Sequence, residues 1–188
     1  YSKRIDVRRN RVTNSHTHGI LLRNLYDSRI EGNDVRTSKD GFFFSGCYQD
    51  TLEGNWIADN STGIQVSDSK RNLLTANAFV DNAVQLVYEG YSHIVWAGGD
   101  GGNYWSDYVG WDRDGNGIGD KRHYPSDIAS YLVGRFPAVR LVLHSPAMLL
   151  LQGLESQFPV MRPPGVVELQ PLMHPAVRPP VAMQGSQP

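Results

Sequence analysis

The sequence is poor in cysteine, in charge of one sign and in long apolar runs. Its single cysteine, Cys47, excludes an intrachain disulfide and a zinc site built from four cysteines. With 18 Lys and Arg against 19 Asp and Glu, the net charge of −1 argues against a basic nucleic-acid-binding protein. The aliphatic runs are far shorter than the ~18 residues of a membrane span, so no transmembrane segment is predicted.

Asparagine, glycine and proline are concentrated in different parts of the 188-residue chain. Nine of the 11 asparagines lie at or before Asn82, nine of the 19 glycines lie between Gly90 and Gly119, and all 11 prolines lie at or after Pro125. This segregation predicts that the chain is divided into regions of different structure. The predicted regions are coils over residues 1–95, a Gly- and Trp-rich segment over 96–125, a helical segment over 126–158 and an extended Pro-rich tail over 159–188.

A repeat runs through the first ninety residues. Its asparagines are spaced by 23, 22 and 22 residues: Asn10, Asn33, Asn55 and Asn77. Glycine followed by an apolar residue recurs at Gly19, Gly41 and Gly63, with Ala83-Val84 taken as the next member. A further asparagine set is Asn14, Asn60 and Asn82.

The length of the repeat and its residue types predict an all-β fold. Leucine-rich repeats need a regular leucine ladder, which is absent here, and helical repeats are about 33 residues or longer. Short alternating stretches with Asn and Gly at the corners are typical of a parallel β-helix with three strands in each coil. Four coils would stack to about 19 Å, at about 4.8 Å per strand. Because solenoids need capped ends, we expect further coils before Tyr1.

An acidic loop follows the predicted coils. It has the spacing of the first part of a calcium loop, with candidate ligands Asp112, Asp114, Asn116, the Ile118 carbonyl and Asp120. The twelfth position holds a histidine instead of the bidentate glutamate of an EF-hand, and no helix leads into the loop. Two interpretations remain open: a structural calcium site, or a glycine-rich turn whose carboxylates face solvent.

Helix signals appear only after this loop. A first short helix is predicted from Ser126 to Val133. A second is predicted from Ser145-Pro146, a capping residue followed by proline at the first helical position, and is stopped by Pro159. Its apolar stripe consists of Leu149, Leu150, Leu154 and Phe158. The stripe either covers the open end of the solenoid or docks on a partner protein.

The tail from Pro159 to Pro188 contains eight prolines and one acidic residue, Glu168. It has no periodicity, so it is predicted to be extended or disordered. Its apolar residues nevertheless exceed what a plain spacer needs, and we expect part of the tail to lie along another surface.

Three segments resemble the NosD family: residues 102–120 (GNYWSDYVGWDRDGNGIGD), 136–148 (FPAVRLVLHSPAM) and 157–166 (QFPVMRPPGV). The resemblance implies a right-handed parallel β-helix, export to the periplasm through a signal upstream of Tyr1, and a role in supplying copper to nitrous oxide reductase during its maturation. It also implies association with an ABC-type permease and its ATPase, with a copper chaperone as a further candidate partner.

Candidate copper ligands are sparse. Met173 and His174 are adjacent in the tail and have the soft character that suits Cu(I). His16 and His18 are two residues apart on an extended strand, and Cys47 is interpreted as a small buried hydrophobe. Methionine fills gaps more often than it binds metal, so we treat Met173 and His174 as a speculative site.

An enzyme is the main alternative, because parallel β-helices also include polysaccharide lyases and epimerases as well as carbohydrate-binding modules. The acidic residues available near corners are Asp40, Asp59, Asp68 and Asp81. Asp59 and Asp81 would stack on neighbouring coils, but they adjoin asparagines and are interpreted as turn residues. We therefore expect a non-catalytic periplasmic adaptor.

Overall fold

The computed structural model describes residues 1–89, 93–96, 101–126, 132, 136–142, 145–157 and 167–177. Within these residues the chain winds as a parallel β-solenoid, in which each pairing between strands is parallel and joins neighbouring coils. Register partners such as Trp56 and Asp34 are 22 residues apart. The predicted all-β parallel β-helix is confirmed.

Three sheets form the three faces of the solenoid, and their strands are numbered in chain order. The first face contains β2 (Asp6–Arg8), β6 (Arg29–Glu31), β9 (Thr51–Glu53), β12 (Lys70–Thr75) and β15 (His93–Trp96). The second contains β3 (Arg11–Thr13), β7 (Asp34–Arg36), β10 (Trp56–Ala58), β13 (Ala78–Val80) and β16 (Tyr104–Trp105). The third contains β4 (His18–Arg23), β8 (Asp40–Ser45), β11 (Thr62–Ser67) and β14 (Val84–Glu89). A short additional pair joins β1 (Ser2–Lys3) and β5 (Leu25–Tyr26).

Apolar side chains at equal register positions stack from coil to coil and form the core. One such row is Val12, Val35, Ile57, Phe79 and Trp105. Another is Ile20, Phe42, Ile64 and Leu86. Ile57 and Phe42 are fully buried, and burial of one such side chain contributes about 1.5–3 kcal/mol. At the last coil the Trp105 ring stacks on Phe79, with centroids 4.2 Å apart.

One corner of the solenoid carries a continuous ladder of asparagine side chains. Its rungs are Asn10, Asn33, Asn55, Asn77 and Asn103. From the second rung on, each Oδ1 accepts the backbone N–H and the Nδ2–H of the rung one coil earlier, at 2.8–3.1 Å. Each Nδ2 from the second rung on also donates to a backbone carbonyl of the preceding coil. The ladder therefore satisfies buried polar groups that no sheet bond reaches.

A residue in the left-handed region precedes each of the first four rungs, and such residues recur at three further positions in the coils. Those at the ladder corner are Arg9, Gly32, Gly54 and Ala76. Those at the other corners are Asn14, Thr37, Asp59 and Asp81; Arg4, Asp27, Gln49 and Arg71; and Asn24, Gly46 and Asp68. A non-glycine residue pays about 1–2 kcal/mol in this conformation, so the ladders and sheets must hold the corners in place.

The structure corrects the alignment of the second asparagine set. Asn14 does not share a position with Asn60 and Asn82. Its backbone N–H donates to the Oγ1 of Thr37 at 3.2 Å, whereas the Oδ1 of Asn60 accepts from the backbone N–H of Ser38 at 2.9 Å. Asn14 is a left-handed corner residue and Asn60 is a rung. Because asparagine suits both positions, the alignment by spacing placed Asn14 one residue away from its true register.

A column of glycines brings neighbouring coils into close contact. Its members are Gly19, Gly41 and Gly63. A Cβ on Gly63 would lie 2.7 Å from the carbonyl oxygen of Gln85 and 3.1 Å from the Nδ2 of Asn82. The backbone of the next coil occupies the space of a side chain, which explains the recurring glycine.

The predicted fourth member of this column was wrong. The register pairs Ile64 with Leu86, so Gln85-Leu86 occupies the position that we assigned to Ala83-Val84. At this position the Nε2 of Gln85 donates to the Oγ of Ser106 at 3.2 Å and to the Oδ1 of Asp107 at 3.3 Å, so a larger side chain is accommodated there.

Helical structure follows the coils. A 3-10 helix spans Pro137–Val142, and the helix α1 spans Pro146–Gln157. The predicted start of α1 is confirmed, because the Ser145 Oγ accepts the backbone N–H of Met148 at 3.3 Å and Pro146 is the first helical residue. Most of the helix predicted from residue 126 to 133 lies outside the described residues. In the part of the chain that the structure describes, no helix is long and apolar enough to span a bilayer.

We expect Asn55→Ala to lower the free energy of unfolding by about 3 kcal/mol or more, measured by chemical denaturation. The substitution leaves the backbone N–H and one Nδ2–H of Asn33 buried without an acceptor, at about 1–3 kcal/mol each, and it removes the Nδ2 donor to the Ile30 carbonyl. Asn10→Ala is the matched control, because Asn10 is an exposed first rung and should lose about 1 kcal/mol or less. Equal losses in the two variants would contradict the role assigned to the buried ladder.

Candidate functional site

The asparagine ladder ends on a carboxylate. Asn103 continues the ladder from Asn77, but its own backbone N–H and Nδ2 donate to the Oε2 of Glu168, at 3.1 and 2.9 Å. Glu168 is fully buried. Its carboxylate takes the position that the side-chain oxygen of the next asparagine would occupy. A carboxylate is also built into another corner ladder, where Asp50 accepts the backbone N–H of Ser28 at 2.7 Å.

Glu168 belongs to a segment that we call the strap, residues 167–173. The strap lies between the last coil and the acidic loop. Glu168 and His123 exchange two backbone hydrogen bonds, of 2.9 and 3.0 Å. Further backbone bonds join Gly102 to Gln170, Leu172 to Asn103, Gly119 to Pro171 and Met173 to Gly117. The strap is therefore bonded on both of its sides.

The carboxylate of Glu168 is packed against glycine. A Cβ on Gly102 would overlap the Oε1 of Glu168, so glycine leaves the room that the carboxylate needs. Burial raises the pKa of Glu168, and the hydrogen bonds from Asn103 partly oppose this rise.

We call the end of the ladder at Asn103 and Glu168 the closed end. His123 lies beside it and is almost completely buried. Its ring centroid is 5.4 Å from that of Trp105 and 5.6 Å from that of Tyr108. Burial lowers the pKa of His123 to about 4. The Oδ1 of Asp107 is 3.5 Å from Nε2, but Asp107 is half exposed, so solvent weakens its pull on a proton.

The acidic loop is organised by Asp112. Its Oδ1 accepts the backbone N–H of Gly115 at 2.8 Å, and its Oδ2 accepts that of Gly117 at 2.8 Å. These bonds lower the pKa of Asp112. Asp120 accepts the backbone N–H of Arg113 at 2.9 Å. The carboxylates thus bond the backbone of the loop itself.

The other candidate calcium ligands take part in the same loop. The Oδ1 of Asn116 accepts the backbone N–H of Ile118 at 2.7 Å, and its Nδ2 donates to the Oδ2 of Asp114 at 3.0 Å. Across the described residues, no three His, Cys, Asp or Glu side chains are grouped as a metal site.

The helix α1 is attached to the solenoid through one described side chain. Met148 is 5% exposed and belongs to a cluster with Val84 and Val87 of β14. The predicted partner-binding residues Leu149, Leu150 and Leu154 are instead 58%, 68% and 56% exposed. Phe158 lies outside the described residues. The leucine-rich side of the described helix faces solvent.

The candidate copper ligands are not brought together within the described ranges. Met173 is half-buried in the strap and His174 is exposed. The Cys47 thiol is buried and donates to the carbonyl oxygens of Leu22 and Ser45, each at 3.4 Å. Burial raises the pKa of Cys47 to about 11, which disfavours the thiolate that a metal needs.

The histidines near the start of β4 also form no ligand group of three. The Nδ1 of His18 is 3.0 Å from the Oδ2 of Asp40, a carboxylate that is 2% exposed. His16 is exposed. This arrangement orients one imidazole.

The carboxylates considered for catalysis have different structural roles. Asp59, Asp68 and Asp81 occupy left-handed corner positions, where a short polar side chain is favoured for local backbone reasons. Asp40 is buried next to His18. Each of the four is explained by turn geometry or by its contact with His18.

Known proteins place these coils in a family. A family model described as "Periplasmic copper-binding protein (NosD)" matches residues 1–110, more than half of the chain. The chain belongs to the NosD family. The family expected from the resemblance is therefore confirmed, and the match lies mainly over the coils and includes only residues 102–110 of the three segments.

Two curated NosD relatives carry the name "Probable ABC transporter binding protein NosD". The relative from Pseudomonas aeruginosa is 45% identical over 96 residues, which cover 50% of this chain and 22% of the relative. The relative from Stutzerimonas stutzeri is 44% identical over 78 residues, which cover 42% of this chain and 18% of the relative. The matched part of this chain spans about a fifth of the length of these NosD proteins.

Sequence reasoning missed Glu168 and His123 as parts of the closed end. A signal for Glu168 was present, because it is the one acidic residue after Pro159. A lone carboxylate among prolines and apolar residues needs a specific partner if it is buried. His123 had no comparable signal, since its burial depends on Trp105 and Tyr108 arriving from another part of the chain.

We expect acidification to destabilise the protein through His123. Its pKa is about 4 in the fold against an ordinary value of 6.5, so its contribution is complete above pH 6.5 and is lost as the pH falls towards 4. The loss by pH 4.5 should be on the order of 2 kcal/mol. His123→Gln should reduce this dependence, measured as the free energy of unfolding between pH 7 and 4.5. An unchanged difference between wild type and variant at every pH would exclude this linkage.

Proposed function

We propose that this chain acts as a non-catalytic periplasmic adaptor that works with an ABC-type transporter in copper supply to nitrous oxide reductase and in maturation of that enzyme. Its membership of the NosD family and the printed names of its relatives support this proposal. An export signal upstream of Tyr1 is part of the proposal. The observation that carries the adaptor role is the exposed leucine surface of α1, which we call the docking surface: Leu149, Leu150 and Leu154.

The orientation of α1 is unusual for a helix that serves only to cover a core. An amphipathic helix normally turns its apolar stripe towards the protein. Here Met148 makes the described buried contact, while three leucines of the docking surface are each more than half exposed. Exposed leucines on adjacent turns are typical of a surface that another protein covers.

Neighbouring apolar residues extend this surface. Leu141 and Val142 of the 3-10 helix are 89% and 49% exposed, and Phe136 just before it is 57% exposed. They belong to the same part of the chain as α1, between the acidic loop and the strap. We infer that the partner contacted here is the permease, with its ATPase bound on the other side of the membrane.

A non-catalytic role is supported by the placement of the acidic residues. Glycoside-cleaving sites need two carboxylates facing one bond, whereas Asp59, Asp68 and Asp81 serve as corner residues. The carbohydrate-active alternative therefore has no site among the described residues that favours it.

Copper is proposed as the cargo of the system, with the reductase as its recipient and a copper chaperone as a further partner. The candidate ligands on this chain are Met173 and His174, adjacent at the end of the strap. Two soft ligands are fewer than a closed copper site uses, so we propose transient contact with the metal and no resident copper centre here.

Calcium is proposed as a structural ion of the acidic loop, held by oxygens of Asp112, Asp114, Asn116, Ile118 and Asp120. The loop supports this proposal by its spacing and by its tight turn, since Gly115 and Gly117 both have positive φ. The ion would add a fixed positive charge among the carboxylates and would stabilise the face on which the strap lies.

We make the triple substitution Leu149→Glu, Leu150→Glu and Leu154→Glu in the natural protein and co-purify the permease with it from cells. We expect it to reduce the recovery of the permease about tenfold or more. The reason is that three carboxylates cannot be buried against an apolar partner. The measurement is the amount of permease recovered per amount of adaptor.

The matched control is Leu21→Glu, because Leu21 is 51% exposed on β4 of the coils. This variant should retain permease at the wild-type level. Equal retention by the triple variant and the control would contradict the docking surface. Failure of the wild-type protein to retain any permease would contradict the adaptor function as a whole.

We expect calcium to raise the melting temperature and a chelator to lower it by about 2–4 °C at matched ionic strength. Asp112→Asn together with Asp114→Asn should abolish the response, because both substitutions remove charge from the proposed ligands. Magnesium at the same concentration is the control. A melting temperature that calcium and chelator leave unchanged would remove the calcium proposal.

A further inference from the structure

The segment that carries the docking surface begins and ends at one place. The backbones of His123 and Glu168 exchange two hydrogen bonds, at 3.0 and 2.9 Å. These bonds close residues 124–167 into a loop, and α1 (Pro146–Gln157) lies within that loop. Both ends of the loop are therefore held at the last coil of the solenoid.

The second end is held by a side chain that continues the ladder. The Oε2 of Glu168 accepts the backbone N–H and the Nδ2–H of Asn103, at 3.1 and 2.9 Å. Asn103 in turn is bonded to Asn77 of the preceding coil, at 2.9 Å between side chains. The asparagine ladder of the solenoid is thus hydrogen-bonded directly to the second end of the loop, at Glu168.

Backbone contacts on the far side hold the strap in register. The backbone N–H of Gly119 donates to the Pro171 carbonyl at 2.7 Å, and that of Met173 donates to the Gly117 carbonyl at 2.9 Å. A Cβ on Gly101 would lie 2.9 Å from the Cδ2 of Leu172. The strap is in close contact with its neighbours, and Glu168 is its buried acidic anchor.

Among the described side chains, the contact of α1 with the coils is small by comparison. Its described buried side chain is Met148, which lies in a cluster with Val84, Val87, Leu132 and Val139. A helix whose described side chains make one such contact keeps much of its freedom unless the ends of its segment are fixed. Fixing both ends removes conformations that the segment would otherwise lose on binding.

We propose that Glu168 is the positioning residue of the docking surface. Its carboxylate on Asn103 fixes the second end of the loop over residues 124–167 and so holds Leu149, Leu150 and Leu154 ready for the partner. This inference rests on the proposed adaptor function for its partner and on the geometry of the closed end for its mechanism.

The chemistry of the anchor makes a graded test possible. Glu168→Gln keeps one acceptor oxygen for Asn103 and nearly the same volume, whereas Glu168→Ala removes every acceptor. The loss of charge-assisted hydrogen bonds should be large enough to change an opening equilibrium about tenfold or more. Glu53→Ala is the control, because Glu53 is a partly exposed glutamate on a coil and pairs with Arg29.

The experiment measures amide hydrogen exchange in the natural protein together with its co-purification with the permease. In Glu168→Ala we expect amides of residues 117–123 and of α1 to exchange about tenfold faster or more, with a similar fall in permease recovery. Amides of the coils over residues 20–80 should stay protected. Glu168→Gln should recover most of both properties, and Glu53→Ala should resemble wild type.

Two results would overturn the inference. In the first, Glu168→Ala leaves exchange in α1 at the wild-type rate. In the second, exchange rises equally throughout the coils, which would make Glu168 a general stabiliser of the solenoid. If wild-type protein retains no permease, the adaptor function fails, while the exchange rates of α1 still decide whether Glu168 positions it.

Discussion

The fold depends on one repeated interaction, the bond from each asparagine rung to the side-chain oxygen of the next. One oxygen accepts two donors, a backbone N–H and an Nδ2–H, and so satisfies a corner where the sheets cannot. The left-handed corners, the stacked apolar rows and the column of glycines keep register with this ladder. Successive rungs are 23, 22, 22 and 26 residues apart, so extra residues are accommodated between the strands while the ladder stays aligned.

The direction of these bonds explains the closed end. Every rung gives donors to the next coil, so the last rung, Asn103, must meet an acceptor that the coils themselves do not supply. Glu168 arrives from far along the chain to provide it. The same pairing brings together three regions with different compositions: the coils, the acidic loop around Asp112 and the Pro-rich tail. Under the proposed positioning role of Glu168, the position of the docking surface follows from satisfying these two buried donors.

The coil architecture was predictable because its signal is periodic and local. Asn33, Asn55 and Asn77 recur at a fixed interval, and each makes the same hydrogen bonds in its own coil. The alignment failed at Asn14 and at Ala83-Val84, where one residue type serves two positions or where the column ends. The closed end was not predictable, because the pairing of Glu168 with Asn103 occurs once and spans 65 residues. No spacing marks a contact without a repeat, and the burial of His123 likewise follows from contacts between distant segments.

Because the glycine column and the ladder recur from coil to coil, the number of coils can change without changing the chemistry of the closed end. Each coil presents to the next the same oxygen, the same gap above glycine and the same apolar rows. Insertion or removal of one 22-residue unit would move the end by about 4.8 Å and leave its chemistry unchanged. The number of coils therefore sets the distance between Glu168 and any chosen earlier coil, and evolution or a designer can adjust it.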